Sequence, residues 1–103
     1  MSDPTKGISI THQLEPYQWS NEETAAYEAA IEAVNGAVGA YSALIAAEEG
    51  KPEPDPSVIQ HALDEQSRLT REREGLRSRD HAQIAAARAR YAQLARDVRE
   101  GIA

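Results

Sequence analysis

Apolar positions recur at helical spacing through most of this chain. From Tyr27 onward the larger apolar residues fall at Tyr27, Ile31, Val34, Val38, Tyr41 and Ile45, separated by four, three, four, three and four positions. That spacing sets one stripe along an amphipathic helix and has the form of an a/d seam. Ser20 followed by Glu23 reads as a capping box at its start, and Gly50 with Pro52 ends it, so the first helix is predicted over residues 20–49. A second stripe, Ala29, Ala33, Gly36, Ala40, Ala43 and Ala47, runs beside the first. Small residues at this spacing let a neighbouring backbone come close. Gly36 and Gly39 favour that reading over neutral filler, because glycine in a helix interior costs up to about 1 kcal/mol relative to alanine.

Residues 50–56, GKPEPDP, form a linker that three prolines keep out of helix. Asp55 before Pro56 is a start signal, with aspartate as N-cap and proline in the first turn. Beyond it lie two apolar faces. Val58, Ile59, Ala62, Leu63 and Leu69 make the first, and Ile84, Ala87, Tyr91, Leu94, Val98 and Ile102 make the second. Gly75 and Leu76 between them suit a helix end, with Ser78 or Asp80 able to cap a new start. A lone glycine is a weak stop, so the balance favours one long, bent helix over about 56–100, with a break near 75–78 as the alternative.

Residues 1–19 read differently. Ile8, Ile10, His12 and Leu14 alternate with polar residues, and Pro16 interrupts before Tyr17 and Trp19. The expectation is an extended arm lying on the helical domain of residues 20–103 and anchored through Leu14, Tyr17 and Trp19. The fold class is therefore all-α: an antiparallel helical hairpin or a three-helix bundle with coiled-coil-like packing.

Composition makes such a fold thin. The chain has no Phe, one Trp and one Met among 103 residues, and alanine supplies much of the apolar fraction. A core of that kind is marginal alone, which predicts a homo-oligomer and a protein partner. The residues expected at assembly contacts are Ile31, Val34, Val38, Tyr41, Ile84, Tyr91 and Leu94, with Leu14, Tyr17 and Trp19 from the arm.

Charge is divided along the chain. Residues 1–50 hold Lys6 against eight acids, while residues 51–103 hold all nine arginines and Lys51 against nine acids. An acidic helix followed by arginine-rich helices is expected to pair with them, or with those of another copy. The net charge of −6 disfavours nucleic acid and anionic membrane as partners. No apolar leader region is read at the start and no stretch is read as approaching a membrane span, so a cytoplasmic location is the default expectation. Arginine-rich, lysine-poor, alanine-rich usage suggests a GC-rich bacterial genome.

Candidate chemistry is sparse. Zero cysteines removes disulfides and thiolate chemistry. There is no phosphate-binding glycine loop and no nucleophile elbow. His61 and Glu65 share a helical face at i,i+4, yet no paired Glu-x-x-His motif accompanies them, so a solvated face is expected and no metal or other cofactor. Arg68, Arg71, Arg73, Arg77 and Arg79 cluster within twelve residues. Glu72 and Glu74 interrupt them, which favours a salt-bridged face. An anionic-ligand site or enzyme using Arg71, Arg73 and Arg77 is the alternative. A second alternative is an exported helical hairpin, although the Trp-x-Gly turn of such proteins is missing. The leading expectation is a small non-enzymatic interaction or regulatory protein.

Overall fold

A computed structural model describes the backbone of residues 10–102 and the side chains of residues 21–102. Three helices account for most of it: α1 (Ile10–Glu49), α2 (Pro56–Glu74) and α3 (His81–Arg99). At 1.5 Å per residue the 40 residues of α1 reach about 60 Å, roughly twice the length of either partner. α2 runs back along the second half of α1, and α3 then runs parallel to α1 from the level of Glu23. Both pack on α1, and their backbones do not pack on each other.

The core lies along α1. Ala30, Val34, Ala37, Ala40 and Tyr41 are buried against Ala62 and Leu69 of α2 and Ile84, Ala87, Tyr91, Ala95 and Val98 of α3. Of the residues that the sequence assigns to assembly, Val34, Tyr41, Ile84 and Tyr91 are buried inside this core, and Ile31, Val38 and Leu94 pack at its edge. The seam that periodicity identifies therefore closes within one chain. An all-α arrangement of three helices is what the structure shows.

Two expectations about the helices are corrected. The long second helix is divided, because Leu76 turns into the core with 9% exposure while Gly75 ends α2. Gly75 does so with φ −89° and ψ −1°, a conformation open to any residue, so its own freedom is not what breaks the helix. The break is held by side chains. Asp80 Oδ1 accepts the Gln83 backbone N–H at 3.0 Å, capping α3. The Gln83 amide accepts from the Arg77 backbone at 2.9 Å and donates to the Gly75 carbonyl at 3.2 Å.

The second correction concerns the arm. Helix begins at Ile10 and not at Ser20, so residues 10–19 are helical and Ser20 lies inside the helix. Ile10, Leu14 and Tyr17 are spaced by four and three, and a run this short fits helical and alternating patterns alike. Residues 1–9 lie outside the described residues, as do the side chains of Leu14, Tyr17 and Trp19.

The linker is ordered by Glu48, which is 7% exposed at the end of α1. Its carboxylate accepts the Asp55 backbone N–H at 2.9 Å and meets Lys51 Nζ at 3.0 Å. Those two interactions, the first the larger, hold its pKa below the ordinary value. Asp55 in turn caps α2, accepting the Ser57 backbone N–H at 2.9 Å with Pro56 in the first turn. At the far end Gly101, at φ 76°, closes α3 with Ile102 donating to the Asp97 carbonyl at 2.8 Å, a Schellman arrangement.

Two leucines of α2 separate the inside from the outside. Replacing the fully buried Leu69 by alanine should cost about 2–5 kcal/mol in chemical denaturation. The same change at Leu63, 44% exposed, should cost about 0.5 kcal/mol or less.

Candidate functional site

The most connected polar cluster bridges α2 and α3 where their backbones do not touch. Arg68 donates to Glu65 at 2.6 Å and, through Nη1, to Glu72 at 2.9 Å. The Glu72 carboxylate also accepts the Tyr91 hydroxyl from α3. Arg90 Nη2 reaches that hydroxyl at 2.5 Å, and its guanidinium lies 4.6 Å from the centre of the Tyr91 ring. The hydrogen bond from Tyr91, followed by that from Arg68, holds Glu72 below the ordinary carboxylate pKa. Glu65 is lowered chiefly by its hydrogen bond from Arg68. Burial, then the bond to Glu72, raises the Tyr91 pKa, and burial also raises that of Tyr41. Each member of this cluster is satisfied by another, the pattern of a structural clamp.

The candidate anion contacts do not form such a unit. Arg73 donates to the Asn35 side chain at 2.5 Å and lies in a shallow groove with Tyr27, Ile31, Glu28, Glu32 and Glu74. Three carboxylates beside one guanidinium disfavour a bound anion. Arg71 is exposed on α2, and Arg77 sits in the turn between α2 and α3. His61 meets the Tyr41 ring edge-on, with centroids 6.4 Å apart, while Glu65 is committed to Arg68. No group of three metal-ligating side chains comes together among the described residues.

A different face emerges opposite the clamp. Ala29, Ala33 and Glu32 of α1 and Ala85, Arg88, Ala89 and Ala92 of α3 line a shallow groove. Its floor is alanine, its α1 wall carries a carboxylate and its α3 wall carries a guanidinium. This groove takes up Ala29 and Ala33 of the small-residue stripe of α1, whose Ala40 is buried in the core. Farther along α1, a methyl group built on Gly36 or Gly39 would meet no heavy atom of the described residues within 4 Å, so the close approach expected at these glycines is not made among them.

Two further observations bear on this face. The arginine ion pairs among the described residues, Arg68 with Glu65 and Glu72 and Arg90 with Glu72, all lie within the second half of the chain. Acids of the first half contribute Glu23, 2.9 Å from His81, and Glu48, 3.0 Å from Lys51, while Glu28 and Glu32 of that half and Arg88 of the second have no ion pair among the described residues. The second observation is the apolar character of α1. Between Asn21 and Glu49 it contains an 18-residue window of mean hydropathy 1.3, of which 28% is buried. By length and composition that helix is apolar enough to cross a bilayer, which corrects the expectation that no stretch approaches a span. The uncharged run from Ala33 to Ala47 is the signal, masked in the sequence by the acidic residues around it.

Comparison with family models, with curated proteins and with solved structures finds no match to the chain.

Two outcomes test the clamp. Tyr91→Phe should lower stability by about 1 kcal/mol, and a double-mutant cycle with Glu72→Ala should assign most of that to their pair. The pH dependence should have two limbs. Carboxylates lowered in the folded state stabilise above their ordinary value of 4.5, and this contribution falls away as pH drops through the depressed folded values. The raised tyrosines contribute fully below 10.0 and lose that contribution as pH rises through their folded values. Denaturation midpoints measured across pH should therefore decline on both sides, and Tyr91→Phe should weaken the alkaline limb.

Proposed function

We propose that the chain is a small helical interaction module whose alanine-lined α1–α3 face seats a helix of a protein partner. The observation that carries this reading is a mismatch between apolarity and burial. The most apolar window of the chain lies on α1, and 28% of it is buried by α2 and α3. At the Ala29–Ala33 level α1 forms a concave surface with α3, floored by side chains too small to hold a partner helix away.

Amphipathic helices recognise such grooves by setting small or apolar residues into the floor and placing charges against the walls. Here one wall offers Glu32 and the other Arg88, so direction and register of a bound helix would be read electrostatically. The clamp around Glu72 lies away from this face and keeps α2 and α3 fixed on α1. Rigid support of that kind lowers the ordering cost of binding. Residues 10–19, helical and continuous with α1, extend the same helix toward a partner.

A photo-crosslinking amino acid placed singly at Ala85, on the groove, and at Leu63, on α2, tests the proposal in the native host. Protein adducts should form from Ala85 and be absent or far weaker from Leu63. Equal labelling from both positions, or labelling from Leu63 alone, would overturn the proposal.

A further inference from the structure

The α1–α3 groove points to its occupant. We infer that it is an interface between two copies of this chain, related by a two-fold axis parallel to α1 and α3, so that α1 of each copy lies on α3 of the other. This rests on the reading of that face as a helix-binding surface and goes beyond it by naming the partner.

Along one wall the groove carries Glu32, and along the other it carries Arg88. Neither has an ion pair among the described residues, whereas Arg68 and Arg90 on the opposite face are paired within the chain. A surface with an acidic edge and a basic edge is complementary to itself under one kind of rotation. A two-fold axis running along the groove exchanges the edges and keeps their levels. Glu32 of one copy then faces Arg88 of the other, and the contact occurs twice.

The same rotation settles the glycine. α1 and α3 are parallel, and the groove sets Ala29 and Ala33 at the level of Ala85, Ala89 and Ala92. Continuing one turn up α1 places Gly36 beside Ala92 of the second copy. A Cβ at Gly36 is unopposed among the described residues, which leaves this position open to something packed from outside. A two-fold axis perpendicular to the helices would instead set α1 on α1, bringing like-charged acidic edges together. The parallel axis is therefore the one that the charges allow. The product has four helices, α1 and α3 from each copy, in contact through alanine and glycine, with each α2 on the outside.

Sedimentation velocity of the full chain over a range from about 1 to 200 μM tests this, a span that brackets ordinary micromolar assembly. The parent should pass from monomer to dimer. Gly36→Leu should raise the dissociation constant about tenfold or more while its melting temperature as a monomer equals or exceeds the parent's, since leucine is the better helix former and its Cβ meets no heavy atom within 4 Å. Glu32→Arg and Arg88→Glu should each weaken association by a similar factor, because each sets like charges opposite one another twice. An equimolar mixture of those two variants should recover the dimer, because both contacts in the mixed species join opposite charges. A chain that stays monomeric at every concentration would overturn the inference. So would a dimer indifferent to Gly36→Leu, or two charge variants that fail to rescue each other. A monomeric chain that still crosslinks to a different protein from Ala85 would remove the second copy and leave the helix-binding face standing. Loss of groove-specific crosslinking altogether would remove both.

Discussion

Everything in this molecule is hung on one helix. α2 and α3 each pack on α1, and their backbones do not pack on one another, so no third interface closes the bundle. A three-helix bundle normally shares its core among three faces, and each helix is steadied by two neighbours. Here α1 has two neighbours and the others have one. The arrangement depends on alanine. Ala30, Ala37 and Ala40 of α1, with Ala62 of α2 and Ala87 and Ala95 of α3, let the helices approach closely enough for Val34, Leu69 and Tyr91 to fill the remaining space. Small residues gain little from burial individually, so the fold relies on contact along length more than on large anchors.

The missing third interface explains the position of the polar clamp. With no backbone packing between α2 and α3, the relative placement of these helices would rest on α1 alone. Glu72 and Tyr91 join them directly, and Arg68 and Arg90 neutralise the carboxylate that does so. Tyr91 is 1% exposed, and its ring belongs to the core while its hydroxyl reaches the clamp. One residue thus couples apolar packing to the polar bridge. The division of charge along the chain resolves in the same way. Arg68 and Arg90 of the second half are paired with acids of their own half, while the exposed Glu28 and Glu32 of α1 have no ion pair among the described residues.

Much of this was legible in the sequence because helical periodicity is a strong signal. The four-three spacing through Tyr27, Ile31, Val34, Val38 and Tyr41 located the inner face of α1, and Asp55-Pro56 located the start of α2. The break after Gly75 was harder. It depends on Leu76 finding the core and on Asp80 and Gln83 holding the turn, which are tertiary facts that a lone glycine does not announce. The start of α1 was hidden by a short run that fits two periods. Periodicity also could not say whether a seam closes within a chain or between chains, and Ile31, Val34, Val38, Tyr41, Ile84, Tyr91 and Leu94 of the assembly set lie in or against the chain's own core. The groove was half visible. Its α1 stripe was read from spacing, but its second wall comes from exposed alanines of α3 that in sequence look like ordinary helix formers.

The two glycines of α1 bear on what that groove is for. Each lies inside the helix, and each weakens it by up to about 1 kcal/mol relative to alanine. In a chain with so little large apolar surface that is a substantial fraction of the expected stability. No contact among the described residues offsets it, since a Cβ at either position would meet open space. Neither residue adopts the positive φ for which glycine is otherwise needed, because Gly101 alone among the described glycines does so. Local conformation and internal packing are thus both removed as reasons. What is left is an external approach at the level of Gly36, on the side where Glu32 and Arg88 form unlike walls. In the dimer inferred above, a second copy would supply both the close-packed helix and the reversed order of charges, with the same residues on each side.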